Sequence, residues 1–243
     1  NDLVETLAES GESEARWPWQ RENPSEESWL KLPGESFSPI SAAPLFASFF
    51  RDVPPATAAT IDAFCRRQNV ARESCLLACL ATLVSRYGAS TEVFLGWQAD
   101  GRSVDELQSA CGPYAKILPL FFQLDAAMSF ADFLCEVEAQ RQATRARQDE
   151  FFWEQLPSAV ATAWPFWFAF HRAGEPPLPI AGEPRFSVWR QAGQPEPGKL
   201  GLAIDASMES WRLCWHYDTR FLPAAVVERI AEGFEALLND ALQ

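Results

Sequence analysis

A mixed β-sheet flanked by helices, the α/β class, is the fold that this sequence predicts. Short apolar runs rich in β-branched and aromatic residues alternate with longer stretches whose apolar residues recur every three or four positions. The hydrophobic content of 48% over 243 residues is enough to bury a substantial core. Such alternation along one chain is typical of a layered domain in which helices cover a sheet.

The strand-like runs are short, apolar and bounded by turn residues. The last two lie close together in the chain and are expected to form a hairpin. The predicted strands span 44–50, 92–98, 116–124, 166–170, 186–189, 200–206 and 210–217.

Five helical stretches separate or follow these strands. The first is expected to begin at Thr57, because a threonine hydroxyl can cap a helix N-terminus. Gly88 is expected to end the second, and Ser129 to open the fourth. The predicted helices span 57–68, 72–87, 105–110, 129–148 and 223–242.

The charge balance excludes two classes of partner. A net charge of −13 argues against nucleic acid and anionic membranes, since both require clustered lysines and arginines. No stretch approaches the roughly 20 apolar residues of a membrane-spanning helix. Asp2 and Glu5 stand where a secretion signal would carry basic residues. We therefore expect a cytoplasmic protein that binds neither nucleic acid nor membrane.

Residues 1–42 differ in composition from the rest of the chain. They carry nine acidic residues against three basic ones, too polar a mixture for a core. We predict an acidic N-terminal extension and linker over 1–42 and a folded lobe over 43–243.

The cysteines are scattered through apolar surroundings and lack the paired spacing of a metal site. Cys75 and Cys79 lie four residues apart but have no second pair to complete a zinc site. We expect buried, reduced thiols and no bound metal. The six are Cys65, Cys75, Cys79, Cys111, Cys135 and Cys214.

Several segments, in the same order along the chain, resemble signatures of the nonribosomal peptide synthetase condensation domain. Residues 30–34 (LKLPG) are similar to the family's inter-lobe linker, and residues 83–96 are similar to its "LLLSRY…DVVFG" stretch. Residues 112–120 resemble "GxFVNTLPLR", residues 147–156 resemble "HQDYPFEEL", and residues 215–221 resemble "LEYDTALF". The resemblance covers residues 30–243 and corresponds to the C-terminal lobe of that domain.

This resemblance implies a single lobe of the chloramphenicol-acetyltransferase-like fold. In the family, two such lobes form a V, and the substrates reach a histidine of an H-H-x-x-x-D-G motif through a tunnel between them. Lys116 replaces the usual asparagine and Arg147 the usual histidine. The family-motif positions that this sequence retains or alters are Gly101, Arg102, Gly112, Tyr114, Lys116, Gln148 and Asp149.

Neither histidine is a promising general base. His171 and His216 are the only two in the sequence, and neither belongs to an H-H-x-x-x-D-G motif. Both are expected at strand surfaces, because a base also needs a group that orients its ring. We predict no catalytic residue, no directly bound cofactor and no metal ligand.

Tryptophan is abundant, with ten residues in the chain, several of them in its last third. Core packing and a docking surface are both open interpretations, since exposed aromatic patches mark interaction sites. Trp211 and Trp215 should share one strand face. The candidate interface residues are Trp164, Trp167, Trp211 and Trp215.

Three functions remain open at this point. The leading hypothesis is a truncated, non-catalytic condensation-like lobe that serves as an interaction or scaffold module in nonribosomal peptide biosynthesis, of an antibiotic or a siderophore. The resemblance implies an adenylation domain, a carrier protein with its phosphopantetheine arm, or a tailoring enzyme as partner. The alternative is the C-terminal half of an active, amide-forming condensation domain, with residues 112–120 lining the tunnel. A free-standing acyltransferase that uses His171 is the third.

Overall fold

One mixed sheet of six strands is the framework of the protein in a computed structural model. The model describes residues 30–35, 45–102, 105–108, 110–125, 127–151, 164–172, 198–206 and 211–243. The strands are β1 (Phe46–Val53), β2 (Glu92–Ala99), β3 (Lys116–Gln123), β4 (Trp164–Arg172), β5 (Gly198–Ala206) and β6 (Trp211–Asp218).

The strand order across the sheet is β1-β6-β5-β4-β2-β3. The β2, β4 and β5 strands run parallel to one another, while β3, β6 and β1 are antiparallel to their neighbours. The predicted β5–β6 pairing is confirmed. We call the side of the sheet where β2, β4 and β5 end, at Ala99, Arg172 and Ala206, the carboxyl edge.

The helices supply the second layer. Helix α2 is the central one, since it packs against β2 as well as against α1, α4 and α5. Its residues from Ser74 to Val84 are all buried. The helices are α1 (Pro55–Gln68), α2 (Arg72–Gly88), α3 (Asp105–Gln108), α4 (Phe130–Ala146) and α5 (Ala224–Ala241), and a 3-10 turn (Gln148–Glu150) follows α4.

Alternating strand residues build the core between the two layers. On β2, Val93, Leu95 and Trp97 are at most 2% exposed and face the helices, as an amphipathic pleat requires. Trp215 on β6 is fully buried and meets Phe234 of α5 edge-on, with ring centroids 5.5 Å apart. Rings in this geometry add about 0.5–1.5 kcal/mol beyond the area they bury.

A buried ionic network joins α2 to α4. Arg141 of α4 donates to Glu73 (3.2 Å), to Glu138 (3.1 Å) and to the hydroxyl of Ser74 (2.6 Å). The indole of Trp97 donates to the other oxygen of Glu73 at 2.7 Å. Burial alone would raise the pKa of Glu138, but its hydrogen bonds and the Arg141 charge hold that pKa below its ordinary value. The network fixes the two helices to each other and to β2.

The described part of the predicted linker is attached to the lobe. Leu32 is 3% exposed within the core, and Leu30 packs close to Gly88. The Lys199 ammonium of β5 lies 2.5 Å from the Glu35 carboxylate. Residues 30–35 therefore contact both the helical layer and the sheet.

Several predicted boundaries were wrong, each for a local reason. Helix α1 begins at Pro55 and not at Thr57, because a proline at the first helical position lacks only an N–H that the helix leaves unbonded. Strand β1 runs to Val53, three residues beyond the prediction, since it pairs with β6 along its whole length. The cap after α2 is Ala89, in the left-handed region at φ 49°, rather than Gly88. The strand predicted at 186–189 lies outside the described residues.

Other predicted elements are confirmed. Ser129 caps α4, where its hydroxyl accepts a hydrogen bond from the Asp132 amide at 3.1 Å. Among the described helices, none combines the length and hydropathy needed to cross a bilayer.

The expectation of buried cysteines was wrong at two positions. Cys65, Cys75, Cys79 and Cys214 are buried, whereas Cys111 and Cys135 are exposed. Cys135 lies on the polar face of α4, and Cys111 follows α3. No group of three or more His, Cys, Asp and Glu residues suited to a metal ion occurs within the described ranges.

Candidate functional site

Residues that lie up to 48 positions apart in the chain meet at the carboxyl edge of the sheet. Gly101 directly follows β2, Lys116 begins β3, and Gln148 follows α4. The Gly101 amide donates to Oε1 of Gln148 at 3.2 Å, with both residues buried. We call this group the motif cluster: Gly101, Arg102, Gly112, Tyr114, Lys116, Gln148 and Asp149.

Two glycines of the motif cluster are required by close packing against Tyr114. Gly101 has φ 65°, and a Cβ there would overlap the carbonyl oxygen of Tyr114. At Gly112 a Cβ would lie 2.9 Å from the ring of the same tyrosine. Any larger side chain at either position would displace Tyr114.

Arg102 connects the segment after β2 to Tyr114 and to the backbone around α3. Its guanidinium lies 4.8 Å from the centroid of the Tyr114 ring, in cation–π geometry. The same group donates to the carbonyl oxygens of Leu107 and Ala110, the latter at 2.7 Å. These bonds commit the guanidinium to the backbone around α3.

The rim of the cluster consists of ion pairs that water reaches. Lys116 Nζ lies 3.5 Å from Oδ1 of Asp149, where both side chains are partly exposed. Arg147 pairs with Glu150 at 2.6 Å. Exposed pairs of this kind contribute about 0–1 kcal/mol each. The two positions that depart from the family pattern, Lys116 and Arg147, are thus both in ion pairs at the rim.

His216 is bound to other side chains on the face of the sheet opposite the helices. Its Nδ1 lies 2.8 Å from the hydroxyl of Ser48 on β1, and its ring stacks on Trp167 at 5.5 Å with an interplanar angle of 17°. Burial lowers the pKa of His216, so the ring is neutral at pH 7. The ring is partly buried rather than fully exposed, because Ser48 of β1 and Trp167 of β4 both contact it.

His171 lies at an exposed position near the end of β4, as predicted. Its register partner is Asp205 on β5. No hydrogen bond between described residues links either histidine to the motif cluster. The carboxyl edge therefore lacks, within the described residues, an imidazole that is held and oriented for proton transfer.

Cys214, the buried cysteine nearest to His216 in the sequence, is not a nucleophile. Cys214 lies beside His216 in β6, and its Sγ is 3.5 Å from a carboxylate oxygen of Asp205. Burial, followed by the negative charge of Asp205, raises the pKa of Cys214 to about 12. The thiol is therefore protonated at neutral pH and unreactive.

The tryptophans proposed as an interface are core residues wherever the structure describes their side chains. Trp167, Trp211 and Trp215 are 4%, 4% and 0% exposed. The predicted common face of Trp211 and Trp215 is confirmed, but that face is covered by helices. Of the two open interpretations, the burial of these three side chains supports core packing. Trp164 lies in β4, and its side chain is outside the described set.

Two exposed apolar side chains were missed from the sequence. Among described residues, Leu45 (59% exposed) and Phe50 (50%) are the large hydrophobic ones left in water. Both belong to or adjoin β1, which is an edge strand of the sheet. Nothing local marks β1 as an edge, since that follows only from its pairing with β6, 168 residues away at Ser48 and His216.

Comparison with known families identifies the chain. The model of the family described as Condensation domain matches residues 9–157, more than half of the sequence. No curated protein matches.

Solved structures with the same fold are condensation-like domains. The X-domain from teicoplanin biosynthesis matches with a TM-score of 0.73 and 17% identity, over 99% of this chain and 58% of that one. The complex of the X-domain and OxyB from teicoplanin biosynthesis matches at 0.68 and 17%, over 86% and 49%. Holo-AB3403, a four-domain nonribosomal peptide synthetase bound to AMP and glycine, matches at 0.71 and 15%, over 88% and 18%.

These similarities confirm the predicted fold class and family. The identities are low, so the solved structures establish the fold alone. The chain spans about half the length of the two X-domain chains and about a fifth of the synthetase.

Proposed function

The chain belongs to the condensation domain family, and from that premise we propose that it forms a non-catalytic lobe that binds other proteins of a nonribosomal peptide assembly line. The lobe would serve as a platform for an adenylation domain, a carrier protein or a tailoring enzyme. It would work in the cytoplasm.

The observation that carries this proposal is the placement of the histidines. The family's chemistry requires an imidazole at the tunnel, and these 243 residues contain no H-H-x-x-x-D-G motif. His216 is bonded to Ser48 and stacked on Trp167, and His171 is exposed at the end of β4. Neither has the oriented, substrate-facing position that general base catalysis needs.

The packing of the motif cluster supports a structural role for it in this chain. Gly101 bonds to Gln148 and packs against Tyr114, and Arg102 donates to the backbone carbonyls of Leu107 and Ala110. Such a cluster fixes the shape of the loops at the carboxyl edge. A fixed loop surface suits protein recognition, because little conformational freedom is lost on binding.

The solved relatives support the choice of partners. One similar structure is an X-domain in complex with OxyB, and another is a lobe within a four-domain synthetase. If this lobe acts similarly, its partners are a tailoring enzyme or the neighbouring domains of a synthetase. The exposed Leu45 and Phe50 on the β1 edge are suited to contribute apolar contact area.

Calorimetric titration tests the proposal. The chain is titrated with the adenylation domain, the holo carrier protein and the tailoring enzyme of its own assembly line, and saturable binding to at least one is expected. Phe50→Lys should weaken that binding about tenfold, the scale of a lost apolar anchor. Ala59→Lys, a change at another exposed position, on α1, is the control. Absence of binding to all three, or amide formation by the chain alone, would overturn the proposal.

A second candidate function is the C-terminal half of an active, amide-forming condensation domain. It is favoured by one observation: the motif positions assemble into a packed cluster, as a tunnel wall would. In that case the phosphopantetheine arm of a carrier protein would pass along residues 112–120. The test is to add a lobe that contains H-H-x-x-x-D-G in trans and to assay amide formation from carrier-bound substrates. Turnover that Gly101→Ala abolishes would favour this function over the scaffold.

A further inference from the structure

A cleft of about 490 Å³ opens on the helical side of the lobe. The end of α2, the start of α4 and the end of α5 form its walls. Cavities of about 300–1,000 Å³ are the size at which proteins hold small molecules. None of the residues that line it belongs to the motif cluster.

The interior of the cleft is apolar. Phe133 of α4 is 3% exposed, and the partly buried Met128, Phe130 and Leu237 pack against the same core. An aromatic or branched aliphatic group of a ligand would bury its surface against these side chains. That burial is the main source of affinity in sites of this type.

Three charged residues line the same cleft, Arg86, Asp125 and Asp240, and no ion pair joins any two of them. The Asp125 carboxylate accepts a hydrogen bond from the Ala127 amide at 2.9 Å. Arg86 of α2 and Asp240 of α5 are both exposed, and neither has a hydrogen bond or ion pair with any described residue. Asp240 also lies in the last turn of α5, which carries no basic residue. A carboxylate there is disfavoured by the negative end of the helix dipole, so a bound cation would relieve that repulsion.

A buried hydroxyl in the cleft wall lacks a partner among the described residues. Thr82 is 9% exposed, and its Oγ1 makes no hydrogen bond with them. Threonine within a helix ordinarily bonds a carbonyl one turn earlier, and an unbonded buried hydroxyl is costly. The other hydroxyls of the wall are engaged: Ser85 donates to the Ser90 carbonyl, and Thr91 accepts from Gln123.

We propose that this cleft binds a small zwitterion with an apolar side chain, such as a free aromatic amino acid. The ligand carboxylate would pair with Arg86 and its ammonium group with Asp240. The side chain would lie against Phe130 and Phe133. A ligand with both charges satisfies two groups that the protein leaves unpaired within its described residues.

Three probes separate the contributions. L-phenylalanine carries both charges, 3-phenylpropionate lacks the ammonium group, and phenethylamine lacks the carboxylate. NMR titration of the isotopically labelled chain should show saturable shifts of backbone amides around the cleft. L-phenylalanine should bind at least about threefold more tightly than either analogue, the effect of one exposed ion pair.

Two charge-removing variants test which protein side chain binds the carboxylate of the ligand and which binds its ammonium group. Arg86→Gln should weaken the binding of L-phenylalanine and 3-phenylpropionate but leave the binding of phenethylamine unchanged. Asp240→Asn should weaken the binding of L-phenylalanine and phenethylamine but leave the binding of 3-phenylpropionate unchanged. Two exposed changes away from the pair serve as controls, Arg66→Gln on α1 and Glu228→Gln on α5 itself.

The proposal is overturned by any of three results. These are the absence of saturable shifts with L-phenylalanine, equal affinity for all three probes, and shifts that map outside the cleft. Because the variants change exposed side chains, circular dichroism should confirm that each one folds. None of these outcomes depends on whether the lobe binds an adenylation, carrier or tailoring protein, so the two proposals stand or fall separately.

Discussion

The motif cluster and the helical cleft use polar groups in opposite ways. At the carboxyl edge, Gln148 and Arg102 are bonded to neighbouring backbone atoms. In the cleft, Thr82 and Arg86 make no hydrogen bond with described residues. The segments that resemble the condensation family include the motif cluster and contribute most to its packing. Arg86 lies within residues 83–96, which resemble the family, so resemblance alone does not separate the two regions.

The largest expected loss of stability comes from helix α4, which both regions share. Helix α4 begins at the cleft and ends next to Gln148, and Arg141 anchors it to α2. Arg141→Ala leaves the buried Glu138 and the partly buried Glu73 without their cation, which should cost about 3–5 kcal/mol of unfolding free energy. Urea unfolding measures the loss. Arg145→Ala, which breaks the exposed pair with Asp100, should cost less than about 1 kcal/mol.

The next effect tests whether the motif cluster is as tightly built as its contacts indicate. Gly101→Ala forces a side chain into the left-handed region and onto the Tyr114 carbonyl, so a loss of about 1–3 kcal/mol from the backbone alone is expected. Gly112→Ala is the matched change, because its Cβ would meet only the ring of Tyr114, which can move. Equal unfolding free energies for the two variants would contradict the description of Gly101.

Two polar-to-apolar substitutions, one in each region, should change the free energy of unfolding in opposite directions. Gln148→Met leaves the buried Gly101 amide without an acceptor and should destabilise the protein by about 1–3 kcal/mol. Thr82→Val removes a buried hydroxyl that has no partner among the described residues and should stabilise the protein by roughly 1 kcal/mol. Both are read from urea unfolding midpoints. A destabilising Thr82→Val would show that the hydroxyl is bonded in solution.

The smallest effect concerns pH. Burial holds the pKa of His216 below its ordinary value of 6.5, so the unfolded chain binds this proton more readily than the folded one. The stabilisation is therefore complete above pH 6.5 and is lost as the pH falls through the folded pKa. His216→Gln should flatten the pH dependence of stability over that range.

The parts of the fold with a local cause were predictable from the sequence. Ser129 was recognisable as a cap, since a serine precedes an acidic residue and an apolar helix face. Thr57 was misassigned because Pro55, two residues earlier, is the first residue of the helix. The sheet order was not accessible, since β1 joins β6 from the far end of the chain. The burial of Trp215 and the exposure of Phe50 both follow from that order.

The candidate functional residues also divide into those with a local signal in the sequence and those without one. The motif residues were found because each belongs to a short recognisable segment, although their mutual contacts were not foreseen. Thr82, Ser129 and Asp240 come from three separate segments that carry no shared pattern. Only the packing of α2, α4 and α5 brings them together.

Helix α4 has a mechanical consequence. With 17 residues it is a rod of about 26 Å, whose first turn borders the cleft and whose last turn leads into the Gly101 hydrogen bond. Arg141 clamps that rod near its middle. The same helix therefore sets the position of one wall of the cleft relative to the motif cluster.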